Sequence, residues 1–345
     1  MYQDRSIAVV VPAYREERQI ATVIDTMPRW VDHVIVVDDC SPAPDRTTQI
    51  VSERAQNDAR VDLVARKKNG GVGAAIESGY ARALELDADV ICVMAGDGQM
   101  DPDDLHRIVH PVACGRTDYA KANRLTLMYH WDDIPRTRLF GNMVLSFLTR
   151  FATGYWTIGD AQTGFTAASK ELTTQFVRRG MYPRYGVPND LLVTCALSGA
   201  RVEDVPTKPR YAVGEESKLR PRKVALPIAF LLFKGFWKRM FVRFVVLEAN
   251  PVPLAYIAGL LSFLLGSIWS IYLVVRAFTD AATPAEVVAA SMLFVGGAIM
   301  LVLAVVLDVL FSLGLTKRRE DWVEAPDPTA PTPNEIAASA SKAVA

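Results

Sequence analysis

The chain has 345 residues, of which 38 are basic and 38 acidic, and half of its residues are hydrophobic. The charges balance, and the sequence has no basic tract interleaved with aromatic residues, which is the usual signature of nucleic-acid binding. No nucleic-acid partner is therefore expected. The four cysteines lie far apart and form no CxxC pair. This spacing argues against a zinc site or a disulfide framework and favours reduced thiols in a cytosolic domain.

Short β-branched runs alternate with helix-like segments in the first hundred residues. Strands are predicted at 6–11, 34–37, 61–65 and 90–95, and helices at 16–27, 45–55 and 72–86. This alternation predicts a doubly wound, Rossmann-like α/β sheet for a domain spanning 1–222. In such sheets ligands bind beyond the carboxyl ends of the strands.

The C-terminal third of the chain is mostly apolar and predicts a membrane anchor. Residues 251–276 and 285–315 have about the length of one bilayer span each, and the connection between them is short. Lys and Arg cluster before the first predicted span and after the second. The positive-inside rule therefore predicts that both ends of the hairpin, and the N-terminal domain, face the cytoplasm.

Three features around the two predicted spans have their own interpretations. Residues 223–250 mix aromatic and cationic residues, which favours amphipathic helices lying on anionic lipid, with a core helix of the soluble domain as the alternative. Asp308, inside the second apolar run, is either functional or paired between helices. The tail 316–345 is rich in Pro, Ala, Ser and Thr, and we expect it to be disordered in the cytoplasm.

Four polar or glycine-rich motifs follow the predicted strands. They are Pro12-Ala13-Tyr14-Arg15-Glu16, Asp38-Asp39, Asn69-Gly70-Gly71-Val72-Gly73 and Gly96-Asp97-Gly98-Gln99. Each has an ordinary explanation when taken singly: the acid pair could cap the next helix, and the glycine segment could be a simple turn. That segment matches neither a phosphate-binding P-loop nor a dinucleotide fingerprint.

In this order and spacing, the motifs resemble those of the family 2 glycosyltransferases, which have the GT-A nucleotide-sugar-binding fold. Within that family they are most similar to the polyprenyl-phosphate glycosyltransferases, the group that contains dolichyl-phosphate mannose synthase. The resemblance covers residues 6–222, and several members share a two-span anchor. It implies an inverting transfer of a single hexose from a UDP- or GDP-sugar to undecaprenyl or dolichyl phosphate. The expected location is the cell membrane, as a multi-pass protein, and a homo-oligomer is an open alternative to a monomer.

The resemblance also implies roles for individual residues on the donor side. Pro12, Tyr14, Glu16 and Asp39 are expected to hold the base and ribose. Asp97 and Gln99 are expected to contact a divalent ion that bridges the diphosphate, and oxygen ligands favour Mg²⁺ or Mn²⁺. Lys218 is expected to reach the diphosphate from a loop. The chain departs from the family pattern at Ala95, where an acid is usual, so the metal has one candidate ligand fewer. Either water or Asp101 could take that ligand position, but we prefer to interpret Asp101 as the N-cap of a helix that begins at Pro102.

On the acceptor side, the resemblance implies that Arg124, and with it Arg136 and Arg138, binds the lipid phosphate. Asp160 matches an acceptor segment of the family and is a candidate base. A phosphate monoester has a second pKa of about 6 and needs little deprotonation, so Asp160 could instead orient the acceptor. Asp190 lies where other GT-A enzymes place their base, but the alternative is first-turn helix chemistry with Asn189 as the cap.

Two alternative functions are a processive polysaccharide synthase and a non-catalytic membrane scaffold. A processive polysaccharide synthase is expected to carry a Gln-x-x-Arg-Trp motif, which the sequence lacks, and two spans are too few for a polymer channel. A membrane scaffold with a degenerate transferase domain is conceivable because of Ala95. The retention of Asp39, Asp97, Gln99, Asp160 and Lys218 argues against such decay.

Overall fold

The computed structural model describes residues 1–124, 136–207 and 221–316. Its strands are β1 (Ile7–Ala13), β2 (His33–Asp38), β3 (Val61–Ala65), β4 (Val90–Val93), β5 (Tyr119–Asn123), β6 (Thr166–Ser169) and β7 (Val202–Pro206). Its α-helices are α1 (Ile20–Asp25), α2 (Thr47–Asn57), α3 (Val72–Glu85), α4 (Leu105–Ala113), α5 (Arg136–Thr153), α6 (Lys170–Arg179), α7 (Val187–Ser198), α8 (Pro221–Arg239), α9 (Val252–Arg276) and α10 (Pro284–Ser312). A π-helix at Met240–Leu247 follows α8.

The seven strands form one mixed sheet in the order β3-β2-β1-β4-β6-β5-β7. The first four strands are parallel, as predicted, with shifts of one or two residues at their ends. The sheet departs from an all-parallel arrangement at β6, which is antiparallel to both β4 and β5. Strand β5 ends at the carboxyl edge, and the chain re-enters the sheet there at Thr166, which pairs with Val93. The next strand must therefore run in the opposite direction.

Each face of the sheet carries its own hydrophobic cluster. Alternation along β1 sends Val9 and Val11 to one face and Ala8 and Val10 to the other. Helices α1 and α4 cover the first face, and α3, α6 and α7 cover the second. Because both faces are buried, the strands are almost continuously apolar, and polar side chains collect at the strand ends.

Helices α9 and α10 form a closely packed hairpin. By length and composition, α9 and the segment Pro284–Leu315 are each able to cross a membrane. Gly266 lies against the backbone of Phe294, and Gly297 lies against the backbone of Phe263, so a Cβ at either glycine would overlap the partner helix. Small residues that let backbones touch are typical of helix pairs in lipid.

Helix α8 lies between the sheet domain and the hairpin and has two different faces. Ile228, Leu232 and Phe236 are buried in a third cluster with residues of α5, α7 and α9. Phe230 and Phe233, by contrast, are 59% and 61% exposed. One face of α8 is therefore packed against both the sheet domain and the hairpin, and contact of the other face with lipid stays a prediction.

A buried ion pair joins α8 to α10. Arg239 donates to both carboxylate oxygens of Asp308 at 2.7 Å, and both side chains have 0% exposure. Arg239 also donates to the carbonyls of Phe151 and Ala152 at the end of α5. Of the two interpretations of Asp308, pairing between helices is confirmed. Removing one partner of such a pair typically costs about 3–5 kcal/mol because the other charge stays buried.

After α5 the chain turns sharply at Gly154, which lies against the Arg239 guanidinium. Gly154 follows α5 with a φ of +76°, and a Cβ there would lie 2.5 Å from Arg239 Nη1. Both the backbone conformation and the close approach favour glycine at this position.

Candidate active site

The predicted site residues collect at the carboxyl edge of the parallel strands. Pro12 is in the last part of β1, Asp39 follows β2, Asp97 follows β4 and Arg124 follows β5. Because β1, β2, β4 and β5 run in the same direction, their ends share one edge of the sheet. The topology thus brings the predicted donor and acceptor residues to the same side of the domain.

The loops after β1 and β2 are tied to each other. The backbone amide of Arg15, which has a φ of +59°, donates to Ser41 Oγ, and that of Glu16 donates to Thr47 Oγ1, both at 2.9 Å. The Arg15 guanidinium lies 5.4 Å from the centre of the Tyr14 ring. This tie gives Tyr14 and Glu16 a defined place beside the end of β2.

Asp39 holds the glycine-rich turn. Its carboxylate accepts from the amides of Gly70 at 3.0 Å and Gly71 at 2.7 Å, and from Arg66 Nη1 at 2.7 Å. Gly71, with a φ of +93°, is the N-cap residue of α3. The alternative that the acid pair caps the next helix is wrong for α2, whose N-cap Arg46 has no side-chain cap bond. Asp39 instead secures the start of α3.

Asp97 and Gln99 form a tight turn after β4. Asp97 Oδ1 accepts from the Gln99 amide at 3.0 Å. Asp101 caps the short helix Pro102–Asp104 by accepting from the Asp103 amide, which confirms the N-cap interpretation. Within the described residues, no group of three His, Cys, Asp or Glu side chains converges to hold a metal. Asp97 and Gln99 offer oxygen donors that suit a hard cation, so phosphate oxygens and water would have to complete its shell.

Asp160 is fully buried and held by Arg124. Its Oδ2 accepts from Arg124 Nε at 2.7 Å, and its Oδ1 accepts from Arg124 Nη2 at 3.3 Å and from the Gln162 amide at 3.1 Å. Burial opposes ionisation, but the charges of Arg124 and Lys121 outweigh it and hold the pKa of Asp160 below its usual value. Asp160 is therefore ionised at neutral pH and is a weak proton acceptor, which favours an orienting role over that of a base.

Lys121 and Asp204 complete this charge cluster, and sequence reasoning missed both. Lys121 is fully buried, donates to the backbone carbonyl of Asp160 and lies 3.7 Å from Asp204 Oδ1. Asp204 also accepts from Asn123 Nδ2 at 2.7 Å and from the Gly159 amide at 2.5 Å. Burial raises the pKa of Asp204. The available signal was a charged residue inside each of two strand-like segments, since charges are rarely buried there unless paired.

Asp190 lies in a different setting from Asp160. It accepts from the Tyr182 amide at 2.9 Å and pairs with Arg179 at 3.3 Å. It lines a cleft of about 620 Å³ between α7 and α8, together with Lys234 and Lys238 of α8.

The predicted cap Asn189 is wrong, because the helix starts earlier and its N-cap is Gly186. Pro188 is tolerated in the first turn. The Asn189 side chain is then available to donate to Thr149 Oγ1 of α5 at 2.7 Å, which ties α7 to α5.

Three predicted residues are only partly placed or not placed. Arg136 and Arg138 lie in the first turn of α5, and the described structure includes their backbone but not their side chains. Lys218 lies outside the described residues.

Comparison with known proteins agrees with the motifs. The family described as glycosyl transferase family 2 matches residues 8–176. The chain is 28% identical over 262 residues to a UDP-N-acetylglucosamine–dolichyl-phosphate N-acetylglucosaminyltransferase of Methanococcus voltae, covering 72% of this chain and 98% of that protein. It is 26% identical to an undecaprenyl-phosphate mannosyltransferase of Micrococcus luteus, covering 58% of this chain and 82% of that protein.

Solved structures share the fold. Glucosyl-3-phosphoglycerate synthase of Mycobacterium tuberculosis, in a complex with Mn²⁺, UDP-glucose and phosphoglyceric acid, aligns with a TM-score of 0.50 at 21% identity, covering 69% of this chain and 81% of that one. Mannosyl-3-phosphoglycerate synthase of Rubrobacter xylanophilus aligns with a TM-score of 0.50 at 15% identity, covering 68% and 74%. The motifs, the GT-A-like sheet and this family match identify residues 8–176 as a glycosyl transferase family 2 domain.

Proposed function

We propose that the chain transfers one hexose from a UDP- or GDP-sugar to a polyprenyl phosphate at a membrane surface. The observation that carries the proposal is an ion pair between the half-buried Arg124 and the buried Asp160 at the same sheet edge as Asp39 and Asp97, in a chain that also has an apolar hairpin. An arginine fork suits a phosphate head group. Relatives named for dolichyl, polyprenol and undecaprenyl phosphates support this acceptor class.

The donor end of the proposed site lies along β1, β2 and β4. Pro12, Tyr14, Glu16 and Asp39 hold the base and ribose, and Lys218 reaches the diphosphate. Asp97 and Gln99 would hold Mg²⁺ or Mn²⁺, and such an ion would neutralise the charge that develops on the departing nucleoside diphosphate.

The acceptor end is the cluster around Asp160. An oxygen of the lipid phosphate attacks the anomeric carbon as the bond to the diphosphate oxygen breaks, so the configuration inverts and the product is a phosphodiester. The phosphate is already largely dianionic at neutral pH and needs no strong base. Asp160 fixes the Arg124 guanidinium through two contacts, which holds this cation at the sheet edge where the phosphate is proposed to bind.

The proposed location is the cytoplasmic side of the cell membrane, with the hairpin spanning the bilayer. Arg276, at the far end of α9, pairs with Glu286 at 2.9 Å and with Asp280 at 3.4 Å, so that end presents little net positive charge. The end near the sheet domain carries the cations of α8, including Lys234 and Lys238. This asymmetry supports a cytoplasmic catalytic domain.

Cysteine labelling in intact cells tests the orientation. In a background without the two accessible native cysteines, Cys40 and Cys114, a cysteine at Thr279 should react with an impermeant thiol reagent added outside. A cysteine at Gln56 on α2 should react only after lysis. Labelling of Gln56→Cys and not of Thr279→Cys in intact cells would place the site in the compartment that lacks nucleotide-sugars.

The two acids of the acceptor region are predicted to differ in their effect on turnover. Asp160→Asn should lower kcat by about 100-fold or more at saturating substrates, because it releases the Arg124 guanidinium. Asp190→Asn should act mainly on stability, because its partners are Arg179 and a backbone amide. Steady-state kinetics with a thermal melt of each variant separates these effects, and a reversed ranking in kcat would move the central acid to Asp190.

The product identifies the reaction. Purified protein incubated with a panel of labelled nucleotide-sugars, a divalent ion and a polyprenyl phosphate should yield one organic-extractable species that mild acid cleaves. The reaction should stop after one sugar, because the diester product lacks the dianionic phosphate that attacks. Asp97→Asn is the matched inactive control. A ladder of longer products would favour a polymerising enzyme, and no product with any donor would favour a non-catalytic scaffold.

A further inference from the structure

Helix α5 exposes an apolar stripe on the surface of the catalytic domain. Phe140 and Phe147 are 69% and 56% exposed, and three further large apolar side chains between and beside them are at least a third exposed, namely Met143, Val144 and Leu148. Their spacing of three and four residues places all five on one face of the helix. On the buried face, Ser146 and Thr149 bond to the Ala161 amide and to Asn189. The helix is therefore held with its apolar face outward.

The stripe continues into the membrane hairpin. One turn after Phe147, the Phe151 ring stacks on Phe236 of α8 with centroids 5.2 Å apart and meets Tyr256 of α9 at 6.0 Å. An open apolar groove of about 490 Å³ lies there, also lined by Leu301 and Val305 of α10. From Phe140 to Phe151 the helix rises about 16 Å. The stripe of α5 thus adjoins the apolar groove of the hairpin at Phe151.

No charged residue lines this groove in the described part of the chain. Arg150, the basic residue in the last turn of α5, donates through Nε to the carbonyl of Ile158 at 2.5 Å, so its guanidinium is directed to the following loop. Contiguous exposed apolar patches of this kind mark surfaces that are covered by a partner or by lipid.

We infer that α5 lies in the interfacial layer of the bilayer, with the stripe in contact with lipid, as a second membrane contact beside the hairpin. The bilayer is favoured over a second copy of the chain because the stripe is continuous with the lipid-facing surface of the hairpin. The height of α5 is also fixed, since Arg239 binds the carbonyls of Phe151 and Ala152 while it pairs with Asp308 of α10. Interfacial helices typically sit with their apolar face about 5–10 Å into the head-group and acyl boundary.

This placement has a consequence for the acceptor. The first turn of α5 contains Arg136 and Arg138, so a helix lying in the interface puts these residues at the level of lipid phosphates. The inference rests on the proposed spanning hairpin and does not depend on which sugar is transferred.

Spin labelling of the full-length protein in liposomes tests the inference. Single cysteines at Met143, Val144 and Phe147, in the background without Cys40 and Cys114, carry a nitroxide whose accessibility to oxygen and to a water-soluble nickel chelate is measured. Leu264, on the outer face of α9, is the lipid control, and Gln56 on α2 is the water control. The α5 labels should favour oxygen over the nickel chelate, as Leu264 does, and Gln56 should show the opposite preference.

Three results would overturn the inference. Nickel accessibility at the α5 positions equal to that at Gln56 would mean that the stripe faces water. Exclusion of both reagents, together with dipolar broadening between labels at Phe147, would mean that a second copy covers it. Nickel accessibility at Leu264 would reject the spanning hairpin itself and the inference with it, whereas a water-facing α5 with a lipid-facing Leu264 rejects the inference alone.

Discussion

The Arg239–Asp308 ion pair is the interaction that joins the catalytic domain to the hairpin. A fully buried, bidentate arginine–carboxylate pair adds little net stability, because the free energy of desolvating both charges can equal or exceed that gained from their attraction. The pair is more important because it restricts how the helices can be arranged. Arg239 contacts α10 through Asp308 and α5 through two carbonyls, so three helices meet around one guanidinium. The orientation of the domain relative to the hairpin is thereby restricted to the one in which all four acceptor atoms are met.

A second cluster of paired charges restricts the geometry of the site itself. Lys121 and Arg124 alternate with Asp160 and Asp204, and each carboxylate also accepts a backbone amide. Because burial raises the pKa of Asp204 while Arg124 and Lys121 lower that of Asp160, the two acids differ in their tendency to hold a proton. The cluster keeps Asp160 charged and Arg124 in place. A fixed cation at a sheet edge suits the proposed reaction between a lipid phosphate and a nucleotide-sugar.

Local patterns allowed much of the fold to be predicted, and long-range contacts explain most of what was missed. The first four strands and the edge motifs follow from alternating apolar runs and from polar residues at their ends. The reversed direction of β6 does not, because it depends on where a long segment returns to the sheet. The partner of Asp308 is 69 residues away in sequence, and Lys121 and Asp204 are adjacent only because β5 and β7 pair. The predicted N-cap at Asn189 is wrong because the N-cap of α7 is Gly186. The exposed apolar stripe of α5 could not be predicted from the sequence, because it depends on which face of the helix packs against the domain.

We propose that the ion pair between Arg239 and Asp308 holds the edge of the sheet that carries the site at the height of a lipid-embedded acceptor. The direct measurement is kcat/KM for a long-chain polyprenyl phosphate in liposomes and for a short, water-soluble prenyl phosphate. Asp308→Asn is compared with Glu286→Gln, which weakens the half-buried Arg276–Glu286 pair at the far end of the hairpin. Asp308→Asn should lower kcat/KM for the long-chain acceptor by about an order of magnitude and leave that for the short acceptor close to wild type, while Glu286→Gln changes neither. An equal loss on both acceptors, or no loss on the long-chain one, would show that the ion pair does not set this height.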